Sequence, residues 1–71
     1  MELFIKKEKY HQGNESKFYT AKARYNNINF NITYDCITGN IIIHEWYKFN
    51  KEQLIDVQEQ IKVHFKNNTE K

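Results

Sequence analysis

From Asn27 to Asp35 the chain reads NINFNITYD, and every second residue is apolar. A period of two is the mark of a strand with one buried and one exposed face. The preceding stretch, Phe18–Tyr25, alternates in the same way. Asn26-Asn27 lies between the two runs. A two-residue hairpin turn needs positive φ at both positions, and after glycine asparagine tolerates that best. The turn sets a register: Tyr25 opposite Ile28, Ala23 opposite Phe30, Ala21 opposite Ile32, Tyr19 opposite Tyr34. All eight residues then share one face. Phe18, Thr20, Lys22, Arg24, Asn29, Asn31 and Thr33 take the other.

Leu3–Tyr10 reads as a lysine-rich first strand suited to a sheet edge, and His11–Ser16 reads as a loop. After the hairpin, Asp35-Cys36-Ile37-Thr38-Gly39-Asn40 carries turn chemistry. Asp35 can accept backbone N–H groups, and Gly39 can take a left-handed position. With Cys36 opposite Asn40, residues Ile42, His44 and Trp46 join the core face, and Ile41, Ile43, Glu45 and Tyr47 join the open face. A slip of one residue would exchange these two sets.

The last element is a helix. Asn50 is its N-cap, Gln53 completes a capping box, and Phe49 can staple onto Leu54. Leu54, Val57, Ile61 and Phe65 form an apolar stripe at helical spacing. Acidic residues stand in its first half and Lys62 and Lys66 near its end, as the helix dipole favours. The fold class is therefore α+β: an antiparallel β-meander of three to four strands followed by one C-terminal helix packed on one face, ββββα. Residues 1–71 make one small domain. The predicted core joins Phe30, Ile32, Trp46, Leu54, Ile61 and Phe65.

Charge adds an asymmetry. The net formal charge of +2 is small, yet residues 1–34 hold six Lys/Arg against three Glu, and residues 35–71 hold five Lys against six acids. No apolar run has the ~20 residues of a membrane span. The first ten residues lack the form of a signal peptide, and the single cysteine forms no internal disulfide. A cytoplasmic setting is expected. Abundant Lys, Asn, Ile, Tyr and Phe are what AT-rich codons encode, which points to an AT-rich bacterium or to its phages and mobile elements.

Catalytic chemistry finds little support. Two glycines cannot build a phosphate loop. Cys36 beside a turn has no base implied near it, so it reads as structural. Asp35 reads as a turn residue, and the strand pattern places no partner near Glu8 or Glu45. Counting from Asn50, His44 lies about 20 Å back along the strand and His64 about 21 Å along the helix. The two could meet between sheet and helix, but two ligands do not make a metal site. No enzyme, cofactor or metal is expected.

The open face is the expected site. Phe18, Ile41, Ile43 and Tyr47 would form an apolar patch rimmed by Lys22, Arg24, Asn29 and Asn31. That combination suits a non-enzymatic inhibitor or accessory protein that occludes a host protein. Nucleic acid is the alternative partner, because Arg and Asn can read base edges and Lys and Thr can hold phosphates. A homodimer through the same face is a third reading.

Overall fold

The computed structural model describes residues 1–69. Four antiparallel strands form one sheet in chain order: β1 Leu3–Gln12, β2 Lys17–Tyr25, β3 Ile28–Asp35 and β4 Ile41–Ile43. A short 3-10 turn, Trp46–Lys48, leads to the helix α1, Lys51–Thr69. The fold is thus ββββα. Among the described residues no helix is long and apolar enough to cross a membrane.

The β2–β3 hairpin has the register that its turn dictates, from Tyr25↔Ile28 through Tyr19↔Tyr34. Asn26 and Asn27 both have positive φ, at 51° and 64°. Helix α1 covers the face built by this hairpin's apolar row. Phe65 stacks on Tyr34 at 5.0 Å between ring centroids and meets Tyr19 at 5.2 Å. Val57, Ile61 and Phe65 are fully buried. Each such side chain contributes roughly 1.5–3 kcal/mol through its removal from water.

The capping box forms as the sequence predicts. The Gln53 N–H donates to Asn50 Oδ1 at 2.8 Å, and the Asn50 N–H donates to Gln53 Oε1 at 3.0 Å. Just before it, Phe49 enters the core and meets Phe30 edge-on at 5.0 Å. Polar contacts tie the helix to the sheet at its other flank. The Tyr25 hydroxyl donates to Asp56 Oδ2 at 2.6 Å. That bond holds the Asp56 carboxyl below its usual range, helped by Gln60, and raises the Tyr25 hydroxyl above its own.

Strand β1 is longer than the pattern predicts. It continues to Gln12, opposite Lys17, and the loop shrinks to residues 13–16. It also carries a bulge. Lys6 pairs with Lys22 and Lys9 with Thr20, so Lys7 and Glu8 together oppose Ala21. Lys7 takes the left-handed conformation at φ 55°, which costs a non-glycine residue about 1–2 kcal/mol. The extra residue keeps Lys6 and Lys9 on one face and turns Glu8 to the helix side. There its carboxylate hydrogen-bonds His64 Nε2.

The largest departure is β4. Its register is Tyr34↔Ile41, Thr33↔Ile42 and Ile32↔Ile43. Asp35, not Cys36, faces Asn40: the Asp35 N–H donates to the Asn40 carbonyl at 2.9 Å. The loop therefore holds four residues rather than three, and the faces exchange. Ile43 is 6% exposed and belongs to the core, whereas Ile42 is 53% exposed. Ile41 also packs on the core side. The cause lies in Asp35 and Gly39. Asp35 Oδ1 accepts the N–H groups of Ile37 and Thr38 at 2.8 and 3.2 Å, and Gly39 closes the loop at φ 78°. Those two N–H groups hold the Asp35 carboxyl below its usual range.

Trp46 is corrected with it. It is exposed, not buried. Strand pairing ends after Ile43, and the chain turns away at Glu45, so alternation no longer governs where residue 46 points.

Candidate binding face

The face that α1 leaves bare is assembled by cross-strand pairing. One row across the sheet is Lys6–Lys22–Asn31, and a second is Phe4–Arg24–Asn29. A third is Lys9–Thr20–Thr33–Ile42. Of the residues expected here, Lys22, Arg24, Asn29 and Asn31 stand together as the sequence predicts. Phe18 lies at the sheet's end, half-buried and stacked on His11 at 4.7 Å. Ile41 and Ile43 do not belong to this face, because the four-residue loop turns them toward the helix. Tyr47 is exposed but stands off the sheet, in the turn, edge-on to Trp46 at 6.1 Å.

Two adjoining concavities of about 420 and 640 Å³ open on this face. Lys6, Lys7, Lys22 and Lys48 line the first, and Lys7, Lys9 and Lys22 the second. Arg24 stands beside them on β2 and donates to Asn27 Oδ1 at 2.8 Å. Their lining includes one carboxylate, Glu45. It is committed elsewhere: its oxygens accept the Asn31 N–H at 2.9 and 3.1 Å and the Asn31 side-chain amide at 3.2 and 3.4 Å. Glu45 thus stands where the next residue of β4 would have paired with β3. The expectation that Glu45 and Glu8 lack partners is overturned: Glu45 takes the Asn31 N–H where β4 pairing ends, and Glu8, in the β1 bulge, meets His64.

Among the described residues, no carboxylate forms an ion pair with Lys6, Lys7, Lys9, Lys22 or Arg24. Yet Lys6 and Lys22 are direct cross-strand neighbours, a like-charge placement that disfavours folding. The charge of the chain's first half has been gathered onto one surface.

Two histidines frame the centre. His11 Nε2 shares a hydrogen bond with Thr20 Oγ1 at 2.9 Å, and His44 Nε2 shares one with Thr33 Oγ1 at 2.8 Å. Thr20 and Thr33 are themselves cross-strand partners. His44 is therefore on the open face, while His64 meets Glu8 on the helix side. The meeting of His44 and His64 that element lengths allow does not occur, because the β4 register turns His44 to the face opposite the helix. Among the described residues, no three His, Cys, Asp or Glu side chains gather where they could share a metal ion. Cys36 is half-buried, and burial raises its thiol above the usual range, with Asp35 adding to the effect.

Sequence reasoning missed Lys6, Lys7 and Lys9 as members of the site. Their signal was the lysine run itself, but the bulge that aligns Lys6 and Lys9 on one face leaves no mark in the alternation. No protein-family model, curated protein or solved structure matches the chain.

Proposed function

We propose that the open sheet face binds nucleic acid through its phosphates, and that the chain is a binding protein rather than an enzyme. The observation that carries the reading is the Lys6–Lys22 pair, set side by side with no carboxylate among the described residues in an ion pair with either. An anion held between them converts a folding cost into binding energy. Lys7, Lys9, Arg24 and Lys48 extend the charge. Asn29, Asn31, Thr20 and Thr33 offer neutral donors and acceptors, which serve phosphate and base edges alike.

The occlusion of a host protein, first in order when only the sequence is read, loses two of its four apolar anchors. Ile41 and Ile43 are core residues, which leaves Phe18 and Tyr47. An inhibitor role for a phage or mobile element stays compatible with either partner and rests on composition alone.

Titration of labelled random duplex and single-stranded DNA, followed by anisotropy at several salt concentrations, tests the proposal. Binding should weaken steeply with salt, by roughly 0.9 in log K per log salt for each duplex phosphate contacted. The double variant Lys22→Glu/Arg24→Glu should lose binding at least about tenfold and lower the salt slope by roughly 1 for each phosphate contact removed, with its melting curve retained, since both side chains are exposed. Wild-type protein that binds neither DNA nor RNA at low salt would overturn the reading.

A further inference from the structure

We propose that the free edge of β4 pairs with the β4 edge of a second copy of this chain, antiparallel about a two-fold axis at Ile42.

The sheet has two free edges, and they differ in kind. The β1 edge carries Lys6, Lys7 and Lys9 and is broken by the bulge at Lys7 and Glu8. Charge and bulges are two of the devices that keep an edge from pairing. The β4 edge is Ile41-Ile42-Ile43, with no charge, no proline and no bulge. Hydrogen bonding alternates along an antiparallel pair. Asp35 bonds to Asn40 and His44 bonds to Asn31, so Ile42 directs its N–H and C=O toward β3. The backbone groups of Ile41 and Ile43 point outward.

That arrangement is complementary to itself. Across an axis at Ile42, Ile41 of one copy opposes Ile43 of the other, and each such pair makes two hydrogen bonds. Ile42 meets its counterpart as a close, non-hydrogen-bonded pair, where Cα atoms lie about 4.5 Å apart. The surroundings agree. Ile37, Ile42, Trp46, Tyr47 and Ile55 are all exposed, and all lie on or beside this edge. Behind the edge a depression of about 400 Å³ runs between Ile41 and the helix. Its rim holds Glu59 and Lys62, opposite charges that a two-fold can pair across copies. A two-fold interface requires a patch that complements itself in this way. The inference stands independently of the nucleic-acid reading. Its consequence for that face is a continuous eight-stranded sheet with twice the basic surface.

Sedimentation equilibrium of the full chain without nucleic acid, from micromolar to submillimolar concentration, tests the pairing. The wild type should move from monomer to dimer mass. Ile42→Lys sets two ammonium groups against each other at the axis and should weaken the dimer by roughly a hundredfold or more. Ile42→Glu should do the same, and an equimolar mixture of the two variants should restore a dimer. Circular dichroism checks that each variant is folded. Where Ile42→Lys fails to fold, Ile55→Lys on the helix reads the same interface. A wild type that remains monomeric throughout, or an Ile42→Lys protein that dimerises as well as wild type, overturns the proposal.

Discussion

The two hairpins that share β3 behave differently. Between β2 and β3 the loop is two asparagines, both in the left-handed region, and strict alternation on both strands agrees with it. Turn and pattern each fix the same register, so either alone would suffice. Between β3 and β4 the loop is longer, and both three and four residues are compatible with its composition. The strand beyond it reads Ile-Ile-Ile, which is apolar on either face. Neither the turn nor the pattern then decides. The carboxylate of Asp35 does, by gathering the N–H groups of Ile37 and Thr38 and placing Asn40 opposite Asp35. Register is thus robust where two local signals coincide and open where a run of like residues removes one of them.

The sharpest break of this comparison is a pair of substitutions one residue apart. Ile43→Ala should cost about 2–5 kcal/mol, because it opens a cavity in a filled core. Ile42→Ala should cost within about 1 kcal/mol, as an exposed strand position does. Urea unfolding at a concentration where the chain is monomeric measures both. Equal losses, or the reverse order, would restore the three-residue loop and return Ile41 and Ile43 to the open face.

A smaller effect comes from Asp35→Ala, which removes the acceptor that sets the four-residue loop. The sign with pH follows from the lowered carboxyl of Asp35 in the folded state. A depressed folded value means that the stabilisation is present above the ordinary aspartate range, about pH 4. It is lost as pH falls through the folded value. The stability gap between wild type and Asp35→Ala should therefore be full at neutral pH and close on acidification. Asp56, lowered by the Tyr25 hydroxyl, adds an acid dependence common to both proteins and cancels in their difference. A gap that stays constant into acid would mean that the carboxylate's hydrogen bonds contribute nothing to the loop.

The smallest effect belongs to the better-determined hairpin. Asn27→Gly should change stability by about 1 kcal/mol or less, in the stabilising direction or not at all, because glycine accepts φ near 64° without strain. A thermal melt at neutral pH is enough. Clear destabilisation would show that the Arg24–Asn27 contact, and not only the turn geometry, holds this end of the sheet.

Much of the candidate face was legible because it sits on that hairpin. Lys22, Arg24, Asn29 and Asn31 follow from alternation plus one turn. Lys6 and Lys9 were not, because a bulge shifts the count by one with no change in composition. Ile41, Ile43 and Trp46 were misplaced together, since one extra loop residue flips every side chain that follows it. His44 and His64 were drawn together by element lengths alone, which give the level of a residue along the sheet and say nothing of its face.

The order of elements, the β2–β3 register, the capped helix and its buried stripe follow from local sequence. Each of these rests on interactions within about one turn of helix or one hairpin, where spacing and chemistry act together. Only the folded chain shows where β1 bulges, that Glu45 takes the Asn31 N–H where β4 pairing ends, and that Glu8 meets His64. The reason is physical. Each of these depends on partners that lie far apart in the chain, and no short segment holds both of them.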